Sequence, residues 1–371
     1  MQVLFIVFLA AVGIQLIYIT VFLIALSKKS AVTESEIQPV SVIVCAHDEE
    51  QNLRELIPIL LQQQHPSFEV IIVNDRSNDG TYDFLLDETR KVETHNHASL
   101  RMVHAASVPA HVNGKKFGIT LGIKAAKYDW IVLTDADCRP NSDQWLKSIS
   151  AKCTHDKEIV LGYSAYQQEG GFLNLFIRFE TLFTAIQYVA YAIVGNPYMG
   201  VGRNLAYRKS LFLNNKGFNG FLGVTGGDDD LFVNQHANAK NTEVCLGEEA
   251  IVYSSPKRTV SEYFNQKVRH LSVGKKYRFK HKFLLGFFSF THLITWLAGL
   301  PLLFIFSGYL WVLGVLLLRT LILSATTHQA ATRFGHKFES WSVPLLDFLF
   351  VFYYLSTAPV ALLTKKIRWR N

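Results

Sequence analysis

The chain has 371 residues, too many for one small domain and enough for a globular domain with membrane segments. Hydrophobic residues make up 49% and mean hydropathy is +0.17, which excludes an evenly composed soluble protein. The net charge is +7, and many basic residues flank apolar runs (Lys28 and Lys29, Lys275 to Lys282, Lys365 to Arg370), so the basicity points to a membrane surface. No RNA-binding or helix-turn-helix pattern is visible, which argues against nucleic acid. Cys45, Cys138, Cys153 and Cys245 are scattered, giving neither a disulfide framework nor a zinc site.

Val3 to Leu26 is an apolar run of about 24 residues, long enough to cross a bilayer. Positive residues follow it rather than precede it, as in an uncleaved anchor and unlike a signal peptide. By the positive-inside rule, the residues after Lys29 face the cytoplasm. Residues 32 to 39 are polar and read as a linker. Val40 to Cys45 (VSVIVC) is a continuous apolar run, as in a buried parallel strand. A helix over Asn52 to Gln63 follows, then a second strand, Phe68 to Val73, ending at Asn74-Asp75. Thr81 to Lys91 has helical spacing, Ser107 to Asn113 reads as a loop, Phe117 to Ala126 as a helix and Trp130 to Leu133 as a third strand. Strands alternating with helices indicate a doubly wound α/β sheet, which binds ligands at the carboxyl ends of its strands. Polar residues follow each strand: His47 to Glu50, Asp75, and Asp135 with Asp137.

Gly171 to Val194 is an aromatic-rich amphipathic helix, which fits either a domain-packing helix or one lying on the membrane interface. Phe283 to Leu323 is apolar for about 41 residues, with Arg319 its one charge, and reads as a two-span hairpin turning near Ser307-Gly308. Val343 to Leu363 is a further span candidate. Three spans after a cytoplasmic domain would put the basic stretch Lys365 to Arg370 outside. Either one candidate is re-entrant or interfacial, or the tail breaks the rule.

Asp135-Ala136-Asp137 directly follows the strand WIVLT. Two carboxylates at a strand end can converge on a hard cation such as Mg2+ or Mn2+ shared with substrate phosphates, although D-x-D alone also fits a solvated loop. Asn74 to Thr81 offers Asp75 to a nucleobase or ribose, or serves as a turn with an Asx cap. Gly226-Gly227-Asp228-Asp229-Asp230 crowds three carboxylates, which raises at least one pKa and suits a general base; it also suits a helix start. Gln266 to His270 precedes the basic stretch from Lys275, and an Arg there can hold a diphosphate bidentately.

Taken together, these segments resemble the family 2 glycosyltransferases, inverting enzymes of the GT-A fold. SVIVCAHDEEQNLRELIPILLQQQHP resembles their first strand and helix, with Asp48-Glu49 in place of the usual Asn-Glu. EVIIVNDRSNDGT resembles the nucleotide-binding second strand, and GKKFGITLGIKAAKYDWIVLTDADCRP the approach to their D-x-D. GGDDDLF resembles the motif carrying the catalytic base, with Asp228 at the Glu position and Asp229 as the base. QKVRH resembles the QxxRW motif of processive and lipid-glycosylating members; His270 stands in place of Trp, which argues against processive polymer synthesis.

The resemblance implies roles for these residues. Glu49 and Asp75 would contact the nucleoside, Asp135 would lie near ribose and metal, and Asp137 would ligate the Mg2+ or Mn2+. Asp229, beside Asp228, would deprotonate the acceptor hydroxyl, and Gln266 and Arg269 would hold the diphosphate and acceptor end. Gly202-Arg203-Asn204 resembles the acceptor-side loop. The expected organisation is a transmembrane anchor over 1–29, a GT-A catalytic domain over 38–282, and a membrane region over 283–371 with two or three spans and a basic tail. The expected activity is transfer of a sugar from a nucleotide donor, a UDP-sugar first, to a lipid, lipid-linked or glycan acceptor at the inner face of the cell membrane. Two other readings compete. A sugar nucleotidyltransferase would carry an N-terminal glycine-rich basic loop, absent from His47 to Asn52. A non-catalytic assembly or transport protein would lack the carboxylates, and none is missing.

Overall fold

The computed structural model describes residues 1–28, 36–92 and 99–364. Lys29, residues 32–35 of the expected linker and the basic tail from Lys365 lie outside them. In chain order the elements are α1 (Gln2–Ser27), β1 (Val40–Ala46), α2 (Glu50–Leu61), β2 (Phe68–Asp75), α3 (Thr81–Val92), β3 (Ser99–Ala105), α4 (Gly114–Ala125), β4 (Trp130–Asp135), β5 (Cys138–Pro140), α5 (Trp145–Ser150), β6 (Ile159–Gly162), β7 (Ser164–Tyr166), α6 (Phe172–Ile193), β8 (Leu205–Arg208), α7 (Lys209–Asn214), α8 (Asp230–His236), β9 (Thr242–Cys245), β10 (Val252–Ser254), α9 (Val260–Val273), α10 (Phe279–Ile305), α11 (Tyr309–Phe334) and α12 (Val343–Leu363).

The main sheet has the order β3-β2-β1-β4-β8-β6-β9, and β5, β10 and β7 form a small second sheet. β1 pairs in parallel with β2 and β4, with Cys45 opposite Val73 on one side and Asp135 on the other. β8 runs antiparallel between β4 and β6, so the sheet is mixed. Side chains alternate across it as strand geometry requires. Ile43, Ile71, Val73, Ile131 and Leu133 face one apolar layer, and Val42, Val44, Val70, Ile72 and Val132 face the other. The second layer is closed by Leu53, Leu56, Ile57 and Leu60 of α2. Both faces are therefore buried, which is why these strands read as unbroken apolar runs.

The structure moves one expected helix, α2, two residues toward the N-terminus without changing its length, and lengthens two other elements. α2 begins at Glu50 and α4 at Gly114, the latter because Asn113 caps it, its side chain accepting from the Lys116 N–H. β4 runs on to Asp135, so this carboxylate belongs to the strand itself.

Among the described residues, four helices are long and apolar enough to cross a membrane: α1, α10, α11, and α12 with the turn that leads into it. The hairpin turn falls at Phe306 to Gly308, between α10 and α11, as expected. α6 is the joint between sheet and bundle. Its Phe179, Leu182, Phe183, Ile186 and Val189 share one apolar core with Leu161 and Leu205 of the sheet, Phe22 of α1, Phe288 of α10 and Phe350 of α12. This is the packing-helix reading, and each large apolar side chain so buried contributes about 2 kcal/mol. Its two charged residues are buried in pairs, Arg178 with Glu339 (3.0 Å) and Glu180 with Lys267 of α9.

Candidate active site

The cleft lies where the parallel strands end, at the point where the chain leaves β1 for β2 on one side and β4 on the other. Ile43, Cys45, Lys115, Thr134, Asp135 and Asp228 line it. β4 delivers Asp135, and the turn after it delivers Asp137. Gly226 and Gly227 both take the left-handed backbone (φ +81° and +82°), which turns the chain so that Asp228 meets the sheet end and Asp229 becomes the N-cap of α8. Lys116, wholly buried, steadies this turn by donating to the Val224 and Gly226 carbonyls.

Asp229 is held by two backbone donors, Gly202 N–H to Oδ2 and Asp230 N–H to Oδ1, each at 2.7 Å. Burial, with the Asp228 carboxylate beside it, pushes its carboxyl above the usual Asp value, against the pull of Lys115 and those two N–H groups. Asp230 turns the other way and accepts from the Tyr277 hydroxyl at 2.8 Å. Burial, next to Asp229, raises its carboxyl further still. Two further ties of α8 also run to the start of α10: Arg278 N–H donates to Asn234 Oδ1 (2.9 Å), and Asn234 meets His281 (3.0 Å).

Sequence reasoning missed Lys115. Its ammonium lies 2.8 Å from Asp135 and 3.5 Å from Asp228, joining the D-x-D strand to the base loop. Burial alone would lower its pKa, but Asp135, Asp228 and Asp229 raise it well above the ordinary value. Burial likewise works to raise Asp135, and Lys115, Arg203 and Arg269 reverse this and hold it low. The only sequence signal was a lysine pair at the start of a helix, which has no ligand-like spacing.

Asp75 is buried at the end of β2, and its two oxygens accept from Arg76 at 2.8 and 3.3 Å. Glu49 is half-buried, accepts from Asn52 at 2.6 Å, and is raised by burial with Asp137 and Asp135 nearby. Gln266 donates to the Tyr166 hydroxyl at 3.2 Å, and the Arg203 guanidinium stacks 4.6 Å from the same ring. Arg269 lies in the field of Asp228, Asp135 and Asp229, and burial lowers its pKa. Arg203 Nη1 and Gln266 Oε1 are buried without hydrogen-bond partners in the structure, so this side of the cleft is incompletely satisfied. Arg203 was read only as part of a loop.

Asn204 is placed elsewhere. Its amide is 1% exposed and fully used, accepting from Trp145 Nε1 and donating to the Tyr163 and Ala250 carbonyls. It ties β8 to the core and has no free group for a nucleotide.

The metal reading passes a chemical test. Asp135, Asp137 and Cys138 bring ligand atoms within 4.8 Å of one another. Burial pushes the Cys138 thiol up, so it stays neutral, and the two carboxylates are the donors suited to a hard cation. Ser254 donates to Asp137 Oδ2 at 3.3 Å and fixes its orientation.

Comparison with known proteins follows this geometry. The mannosyltransferase PcManGT from Pyrobaculum calidifontis, in complex with GDP-Man and Mn2+, aligns over 98% of this chain and 99% of its own, with TM-score 0.61 and 16% identity. That likeness shows the fold, and it is the GT-A fold. Poly-beta-1,6-N-acetyl-D-glucosamine synthases are similar over shorter stretches: 27% identity over 103 residues in Staphylococcus epidermidis and 25% over 120 residues in Staphylococcus aureus. These matches cover 28% and 32% of this chain and only 22% and 26% of those proteins. The family model for Glycosyl transferase family 21, which falls within the wider family 2 group, matches residues 3–371. On that match the chain belongs to glycosyl transferase family 21.

Proposed function

We propose that the chain is a membrane glycosyltransferase that moves a sugar from a nucleoside-diphosphate donor to a hydroxyl of a lipid, lipid-linked or glycan acceptor, inverting the anomeric centre, with the cleft on the cytoplasmic side of the cell membrane. The observation that carries this is the convergence of Asp135, Asp137, Lys115, Asp228 and Asp229 at the end of the sheet, on a domain joined through α6 to the membrane helices.

Asp229 takes the proton of the acceptor hydroxyl. Its raised pKa makes it a stronger base than a free carboxylate, and the two backbone N–H groups fix its direction. As the proton leaves, the acceptor oxygen bonds to the anomeric carbon from the face opposite the donor phosphate. The bond from that carbon to the diphosphate oxygen breaks, and the nucleoside diphosphate departs with the electron pair. Arg269 and Gln266 hold the diphosphate, supported by Arg203, whose unpaired Nη1 suits an anionic partner. Asp75 and Glu49 bind the nucleoside. Asp135 and Asp137 would hold Mg2+ or Mn2+, which offsets charge growing on the leaving group. Lys115 then neutralises the Asp228 side of the cleft.

Purified protein is to be assayed for nucleoside-diphosphate release with uridine and guanosine diphosphate sugars, because the similar proteins named above point to both N-acetylglucosamine and mannose chemistry. A thermal-shift screen of the same donors with and without Mn2+ selects the pair. Asp137→Ala is expected to abolish turnover at unchanged melting temperature. Full turnover by that variant would overturn the metal assignment.

A further inference from the structure

α12 is long and apolar enough to cross a membrane, but the segments at its two ends are tied to Arg178 and Gln168 and to Lys275 of the globular domain and its exit. The catalytic side is marked by α11, whose last residues touch the globular domain. Arg333 donates to the Ala25 carbonyl at the end of α1 (2.9 Å), and Phe334 packs on Tyr163 (4.8 Å). Gly335 (φ +72°) lies so close to Glu248 that a Cβ there would stand 2.2 Å from its backbone nitrogen. The opposite side is marked by the α10–α11 turn, where Phe306 stacks on Phe5 of α1 at 4.6 Å.

The segment leading into α12 stays with the globular domain. His336 packs on Tyr163 and Tyr253, Lys337 O accepts from Arg178, and Glu339 pairs with Arg178 and accepts from Gln168. Four residues later α12 begins at Val343, and four residues reach about 14 Å at most, half of a hydrocarbon core of roughly 30 Å. At the other end, the Lys275 ammonium donates to the carbonyls of Ala361 (2.8 Å), Leu362 (3.2 Å) and Thr364 (2.9 Å). These are orphan carbonyls of the helix C-terminus, which a cation satisfies well. Lys275 lies just before α10, on the catalytic side.

The first turns of the helix are set into the bundle. Asp347, near its start, pairs with Arg319, which lies on the order of 20 Å along α11 from Phe334. Asp347 also accepts from Trp296 Nε1 of α10 at 3.0 Å. Leu345, Phe352, Leu355, Val360 and Leu363 form an exposed apolar face, as a lipid-facing helix requires. The opposite face covers α9 and α6, with Phe350 and Tyr353 on Phe176.

We propose that α12 does not cross the membrane: it lies as an unbroken helix within the leaflet on the catalytic side, a dip rather than a crossing, so that both its ends stay with the active site. The protein's partner along this face is the acyl region of that leaflet. Three spans then remain, α1, α10 and α11, and the conflict with the positive-inside rule disappears. The inference rests on the proposed membrane insertion of those three.

The test uses single cysteine reporters in the full chain and a membrane-impermeant maleimide, applied to intact cells and again after permeabilisation. The native cysteines are buried or half-buried, and wild type supplies the blank. Asn214→Cys marks the catalytic side, Ser307→Cys the opposite side, and Thr364→Cys the end of α12. Thermal unfolding of each variant checks its fold. Thr364→Cys is expected to label under the same condition as Asn214→Cys and the opposite condition to Ser307→Cys. Labelling of Thr364→Cys together with Ser307→Cys, while Asn214→Cys differs, overturns the dip alone. Identical behaviour of Asn214→Cys and Ser307→Cys overturns the insertion of the three spans and the dip with it.

Discussion

The cleft and the helix bundle both bury carboxylates beside cations, and they do so on opposite terms. In the bundle, Asp347 is matched by Arg319 on both oxygens, and Gln15 and His292 also meet the guanidinium, whose Nε is buried without a partner. In the cleft, Asp135, Asp137, Asp228 and Asp229 outnumber Lys115, Arg203 and Arg269, so the site retains negative charge. A closed, matched pair fixes helices in register. An unmatched cluster facing a cleft stays ready for a cation and for a proton. Burial and charge type are therefore poor guides to role, and the balance of opposite charges is a better one.

Mutations separate the two regions. Asp229→Asn removes the base while keeping shape, and turnover is expected to fall about a thousandfold with melting temperature unchanged; a loss below tenfold would assign the proton to another group. Arg319→Ala leaves Asp347 buried and uncompensated, at about 3–5 kcal/mol of stability, read from thermal unfolding in detergent. Adding Asp347→Leu to Arg319→Leu is expected to recover most of that loss, as it would for an architectural pair. Asn204→Ala strands Trp145 Nε1 and two carbonyls at about 1–3 kcal/mol, with KM for the donor unchanged; a raised KM and unchanged stability would return Asn204 to the nucleotide.

The smallest effects are shifts in pH dependence. A base works ionised, so activity falls as pH drops through the Asp229 pKa. Asp228 raises that pKa and Lys115 lowers it. Asp228→Asn is therefore expected to move the acid limb of kcat/KM to lower pH, and Lys115→Met to higher pH. Shifts of the same sign in both variants would show that another group governs the limb.

The strands that build the cleft were legible because a sheet buried on both faces demands continuous apolar runs, as in VSVIVC and WIVL. The helical hairpin was legible for a similar reason, since lipid tolerates little else. β3 was not, because its residues alternate between buried and exposed at the sheet edge (Ser99 and Arg101 outward). Nor were β6 to β10, each only three or four residues long and paired across long separations. Lys115 escaped because the fold brings it to Asp135 and Asp228, which no local spacing encodes. Asn204 was misjudged for the converse reason: a polar residue beside the cleft serves the core.

One bond has a further consequence. The Tyr277 hydroxyl on Asp230 joins the residue next to the base to the residue two positions before α10. Through it α8 is tied to the approach to α10, so on the proposed insertion of α10 a thicker or thinner membrane that tilts it would pull on the helix whose first turn aims Asp229. The lipid would then be a mechanical setting of the enzyme as well as its surroundings, and detergent of different chain length is a way to turn it.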